Sequence, residues 1–273
     1  MLYLAENKHF WHIARREFIY QEISRILARF YPDNSFKYAK ILDVGAGTGS
    51  VTRHFLAQGF CNIALGEIHP QGLEYAKTYG IKDLYCMDLL DVPFIDEFDC
   101  IFAFDVLEHI DNDVTALQNM KNMLKNNEKS FVALSVPAHK WLWNSHDVNV
   151  NHKRRYTKPD ITHLMMECGF EIVHARYFFV SITPLLFARA ILHNATYPND
   201  STQNNTILHN KNSNNELVTE PKHLRDTPPP SFINNLLLAL CRIENNIYNI
   251  CPQNISAPFG GSLLVVGKNT SNQ

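Results

Sequence analysis

The chain has 273 residues, of which 45% are hydrophobic and 19% charged, and its net charge at neutral pH is −2. That length and composition suit one large globular domain with additions, and the small net charge offers no electrostatic case for nucleic acid as a partner. Six cysteines without a C-x-x-C spacing read as buried, reduced thiols of a cytoplasmic protein, which sets aside disulfide or metal chemistry for them.

The first residues, "MLYLAENKHFW", lack the basic and then apolar build of a signal peptide. No run reaches about 18 apolar residues, so no spanning helix is predicted. The nearest approach, residues 177–192, is interrupted by Pro184 and Arg189.

In chain order, residues 8–31 carry apolar side chains at helical spacing. Ile19, Ile23, Ile26, Leu27 and Phe30 share one face, and Pro32 and Asp33 stop the helix. Strand and helix patterns then alternate. "YAKILDVG" reads as a strand and "GSVTRHFLAQG" as a helix. "NIALGEI" is a second strand, with "PQGLEYAKTYG" its helix. "DLYCMDL" is a short third strand. "FDCIFAFDVL" is a fourth, followed by a helix to about Leu124, and "KSFVALSVP" is a fifth. "KPDITHLMMECGF" is helical, "EIVHARYFFV" is a sixth strand and "GGSLLVVGK" a final one. This alternation predicts an α/β fold with a parallel sheet covered on both faces. The organisation read from the chain is a helical cap (1–36), a core (37–193), a flexible polar insert (194–230), and a helix and strand completing the core (231–273). The insert is Asn-rich and ends in three prolines, too polar to order itself.

The segment "ILDVGAGTGS" (41–50) puts Gly45, Ala46, Gly47 and Gly49 between a strand and a helix. Such a turn lets a ligand approach the backbone at the carboxyl ends of a doubly wound sheet. A dinucleotide fingerprint needs its third glycine where Ser50 stands. Acids follow at successive strand ends: Asp43, Glu67, Asp88 and Asp105. Glu67 is placed to accept both hydroxyls of a ribose and Asp88 to accept from an exocyclic amine, with Ile68 and Met87 flanking a flat ring. A crevice lined by acids suits a cationic nucleoside better than phosphates.

"ILDVGAGTGS", "GEIHP", "MDLLDVPF" and "FDVLEHI", in this order and spacing, resemble the class I S-adenosylmethionine-dependent methyltransferases, in particular the type 11 group that includes ubiquinone-biosynthesis O-methyltransferases. The resemblance implies a Rossmann-like, seven-stranded, mostly parallel sheet with its last strand antiparallel. It also implies S-adenosyl-L-methionine as cofactor, with Asp43, Gly45 and Gly47 at its methionine end, Glu67 on the ribose and Asp88 on the adenine amine. "HFWHIARRE", "PAHKWLWNSHDVNVNHKRRYTKPDI" and "PFGGSLLVVGK" are similar to a methyltransferase subgroup associated with lipid-linked or glycan substrates.

Methyl transfer to oxygen or nitrogen calls for a base near neutral pH, and His109, His146 and His152 follow strand ends. Asp105, Glu108 and His109 resemble an acid–acid–His set that holds a catechol-like acceptor in some relatives. Those relatives commonly have Glu where this chain has Asp105, helix capping is the competing role, and no metal is assigned. The basic loop after the fifth strand offers Arg154, Arg155 and Tyr156 as anion contacts beside Trp143, and Arg15 is a further candidate. The expected enzyme methylates a small or lipid-linked acceptor, on oxygen rather than nitrogen. Competing readings are a catalytically silent cofactor-binding module and a nicotinamide-dependent oxidoreductase. Residues 177–192 and 232–250 either pack on the core or form an apolar cap that can rest on a membrane surface.

Overall fold

The computed structural model describes residues 6–33, 35–196, 228–251 and 256–270. Most of the expected insert therefore lies outside the described residues. Helix α1 (Phe10–Phe30) opens with His9, whose ring accepts from the Trp11 backbone N–H. Its buried face carries Phe18, Ile19, Ile23, Ile26 and Leu27, as the spacing predicts, whereas Phe30 is only partly buried.

The chain then builds strand β1 (Ile41–Val44), helix α2 (Ser50–Ala57), β2 (Ile63–Glu67), α3 (Pro70–Thr78) and β3 (Leu84–Cys86). It continues through β4 (Cys100–Phe104), α4 (Asp113–Met123), β5 (Phe131–Pro137), the short α5 (Ser145–Asn149), α6 (Lys158–Glu167) and β6 (Phe170–Phe178). Helices α7 (Thr183–Thr196) and α8 (Ser231–Ile250) precede β7 (Ser262–Asn269). The sheet order is β3-β2-β1-β4-β5-β7-β6. β1 to β5 run parallel, and β7 is antiparallel to both β5 and β6, as the resemblance implies. Chain order reverses between β1 and β4. The carboxyl ends of those strands are therefore the switch point at which doubly wound sheets take ligands.

Two apolar layers sandwich the sheet. Phe18, Ile23, Phe55, Phe102 and Leu264 belong to one, and Leu42, Ile101, Leu117, Met120 and Val265 to the other. β1, β2, β4 and β5 are buried along their whole length, which explains their continuous apolar runs. β6 is fastened to α1 by charge. Buried Arg176 donates to Glu22 at 3.1 Å, and His174 lies 3.1 Å from the other Glu22 oxygen. All six cysteines are free. Cys100, Cys168 and Cys241 are buried as expected, but Cys61 and Cys86 are exposed, because Cys61 lies in the loop before β2 and Cys86 ends the edge strand β3. Among the described residues no helix is long and apolar enough to cross a membrane.

Candidate functional site

The loop from β1 to α2 carries three residues with left-handed backbone, Gly45, Gly47 and Gly49. A side chain at Gly45 would collide with Val106 at 2.6 Å, so the loop lies against the end of β4. At Gly47 a Cβ would meet nothing within 4 Å. That open face, at a backbone position few residues other than glycine adopt, is where a ligand can lie on the chain. Glu67, at the end of β2, is buried. Its two carboxylate oxygens accept from Gly47 N–H at 2.8 Å and His69 N–H at 2.9 Å, which holds the acid beside the glycine loop.

Asp43 lies behind the loop, where burial pushes its carboxyl up to about 7 against the opposing effects of a hydrogen bond from Thr52 and the charge of Arg15. Asp88, beyond β3, is exposed and accepts from Leu90 N–H at 2.9 Å. Ile68 is exposed beside this edge, and Ala46 packs on the small cluster of Leu65, Ala76 and Ile81. Met87 departs from its expected place. It packs inward, with its sulfur where a Cβ on Gly66 would lie, because the missing side chain at Gly66 leaves a groove in the core. Of the two expected ring walls, only Ile68 faces outward. The site thus combines an open glycine backbone with Asp43, Glu67, Asp88 and Asp105. Carboxylates accept hydrogen bonds from hydroxyls and amines and favour a nearby cation, so the set suits a sulfonium nucleoside with a ribose and an amine.

The N-terminal segment closes over this loop. Thr48 donates to Glu6, Arg16 donates to Ser50 at 3.4 Å, and Arg53 donates to Asn7 at 2.7 Å. Arg15 reaches the end of β4, where its Nε lies 2.7 Å from Asp105. Asp105 itself has left-handed backbone and accepts from Ser135 at 2.8 Å. Neither Ser135 nor Glu6 was signalled by the sequence. Ser135 is reached through the β4–β5 register, in which it pairs with Phe104.

Beyond Asp105 a turn, Leu107–His109, meets α5 and the loop that follows it. The rings of His109 and His152 are 4.7 Å apart, and His146 is 6.1 Å from His152. The three candidate bases form one cluster. His152 Nδ1 lies 2.7 Å from Asp147. Burial alone would raise Asp147. The hydrogen bond from His152 and the charge of Arg155 outweigh it and hold the acid at about 2. Asp147 is therefore the acceptor for the Nδ1–H of His152, whose Nε2 lies 3.8 Å from Glu108. Glu108 is fully buried, and neither of its oxygens meets a hydrogen-bond partner among the described residues. Burial and the charge of Asp105 raise its pKa well above the carboxylate range. His109 keeps one edge open to solvent. Partial burial and the neighbouring His152 lower it to about 4. One ligand atom each from Glu108, His109 and His152 lies within 4.8 Å of the others.

The basic loop is tied down by acids. Arg155 is buried and donates twice to Asp147, each at 2.9 Å. Arg154 and Tyr156 both donate to Asp113, at 2.6 and 2.9 Å. These three residues pin the loop to α4 and α5. Trp143 is partly buried, and its indole N–H meets no partner among the described residues.

The Methyltransferase domain family matches residues 10–175 of the chain. A ubiquinone biosynthesis O-methyltransferase from Rickettsia canadensis is 23% identical over 154 residues, covering 51% of this chain and 65% of that protein. The match thus spans less than two thirds of that relative. Among solved structures, a Galdieria sulphuraria protein proposed as a sarcosine dimethylglycine methyltransferase has a TM-score of 0.56 at 12% identity, covering 95% of this chain and 87% of its own. The [4+2]-cyclase SpnF has a TM-score of 0.50 at 14% identity, covering 90% and 80%. These structural likenesses concern the fold alone.

Proposed function

This chain belongs to the methyltransferase family whose domain spans residues 10–175, it is an S-adenosylmethionine-dependent enzyme, and from that premise we propose that it methylates an oxygen of a small or lipid-like acceptor. S-adenosylmethionine supplies an activated methyl group on a sulfonium, so the protein's own residues have to hold, orient and deprotonate. In this reading Glu67 accepts from the ribose hydroxyls, Asp88 from the adenine amine, and the open backbone of Gly47 lies along the methionine part. Arg15 and Asp105 sit at the end of β4, where an anionic group can compete for Arg15.

The observation that carries the acceptor chemistry is the cluster of Glu108, His109 and His152 at the end of β4. His152, held in one tautomer by Asp147, has its free nitrogen available to take a proton from an acceptor hydroxyl. The name of the Rickettsia relative supports oxygen as the methylated atom. Glu108 favours a second reading of the same cluster. A buried carboxylate without a partner, beside two imidazoles, fits a divalent cation held by Glu108, His109 and His152, which would polarise an acceptor oxygen.

The test combines donor calorimetry with formation of S-adenosylhomocysteine against a panel of phenols, catechols and prenylated phenols. His152→Ala is expected to keep donor affinity and lose turnover. Loss of activity in chelator, restored by one divalent metal, would favour the second reading. Tight NADH binding with no donor binding would overturn both.

A further inference from the structure

Helix α8 is amphipathic the wrong way round for a core helix. Its buried face holds Asn234, Cys241, Glu244, Asn245 and Tyr248. Its exposed face holds Phe232, Leu236, Leu240, Ile243, Ile247 and Ile250. On a helical wheel these six lie within an arc of about 80° and run roughly 27 Å along the axis. The arrangement is not loose packing, because the polar face is anchored. Asn234 accepts from Phe10 N–H at 2.9 Å and donates to the Lys8 carbonyl at 2.9 Å. Glu244 accepts from Val180 and Ser181 N–H at 3.0 and 2.8 Å. Helix α7 repeats the pattern, burying Thr183 and His193 while exposing Leu185, Phe187, Ile191 and Leu192.

The exposed charge carried by the described residues of these two helices has one sign. Among the described residues from Phe179 to Val266 the only acid is Glu244, and it is buried in the contact just given. Arg189 is exposed on α7, Lys8 is exposed beside the first turn of α8, and exposed Lys140 precedes Trp141. Arg242 is neutralised by Glu17 of α1. Trp141 is half-exposed and meets Phe187 edge-on at 5.4 Å, at the rim of the apolar face. No helix is both long and apolar enough to span a bilayer among the described residues. An aliphatic stripe in the surface plane, an aromatic at its edge, and cations with no exposed acid on the described residues of either helix together match the interface of an anionic membrane.

We propose that α7, α8 and Trp141 form a surface that docks this protein on anionic lipid. The surface continues through Trp141, which stacks on His139 at 5.1 Å, into the segment that carries Trp143 and His146. A lipid-like acceptor entering from the membrane past Trp141 is a consequence that rests on the methyl-transfer reading above. The docking itself does not.

The test uses the full chain and co-sedimentation with vesicles of phosphatidylcholine alone or with about one third phosphatidylglycerol. Binding is expected to be about tenfold stronger with phosphatidylglycerol and to weaken in high salt. L236D/I243D, at two exposed positions, is expected to bind at least tenfold more weakly while keeping the wild-type melting temperature and donor affinity. Should that variant not fold, I247D with I250D serves. The proposal is overturned if the variant binds vesicles as wild type does, or if wild type binds neither vesicle. It is equally overturned if the substitutions merely dissociate a dimer in sedimentation velocity. Because no turnover is measured, a wrong acceptor assignment leaves this result untouched.

Discussion

Replacing Asp147 by Asn tests how the histidine cluster is held. The carboxylate accepts from His152 at 2.7 Å, from Arg155 twice at 2.9 Å and from Asn144 N–H at 2.9 Å. The amide keeps the shape, removes the charge and turns N–H groups towards a buried guanidinium. Two routes give the magnitude. A carboxyl held at about 2 instead of 3.8 contributes roughly 2.5 kcal/mol to stability at neutral pH. Breaking a buried pair by removing one partner costs about 3–5 kcal/mol, and the remaining amide oxygen places this case at the lower end. A loss of about 2.5–4 kcal/mol is therefore expected in urea unfolding at pH 7. The sign follows from the depressed pKa: the contribution is present above pH 4 and is lost as pH falls towards 2, so the gap between wild type and variant should narrow over that window. Donor affinity should stay near wild type, while turnover falls and its pH profile shifts, because His152 is no longer held in one tautomer. A loss below about 0.5 kcal/mol, or one that does not narrow below pH 4, would refute the assignment of Asp147 as the charged anchor of this loop.

Three further outcomes are expected. Gly47→Ala should cost only about 1 kcal/mol of stability yet weaken donor binding at least tenfold, since its Cβ would fill the open face. Gly49→Ala should instead cost about 1–3 kcal/mol of stability, because its Cβ would meet Ile81 at 2.8 Å and Leu65 at 2.9 Å; calorimetry and thermal melts separate the two, and a Gly47→Ala protein that binds donor normally would remove Gly47 from the site. Asp43, raised to about 7 by burial, binds its proton more tightly folded than unfolded, so it should cost stability as pH rises from about 4 to 7, by up to roughly 1.4 kcal/mol per unit. Asp43→Asn should flatten that part of the stability profile, and an unchanged slope would show that the carboxyl is already ionised in the fold.

Much of the fold was legible in the residues because it is local. Strands buried on both faces show as apolar runs, and their order followed from alternation with helical patterns. The glycine loop and the strand-end acids needed only a strand, a turn and their spacing, so Asp43, Gly47, Glu67 and Asp88 could be placed at one edge before any coordinates. Contacts between distant segments were not legible. Whether Arg154, Arg155 and Tyr156 are free for a ligand depends on which acids lie within reach, and Asp113 and Asp147 claim them only after α4 and α5 pack. Met87 points inward because Gly66, on the neighbouring strand, leaves room. His109 and His152 looked like rivals, yet folding the loop back over the turn after β4 makes them neighbours. Helix α8 has a clear apolar stripe in sequence, and that stripe ordinarily faces the core. Here burial of Asn234 and Glu244 as hydrogen-bonding anchors turns it outward, because satisfying backbone N–H groups at the start of α1 and in the turn before α7 demands polar side chains on the inner face.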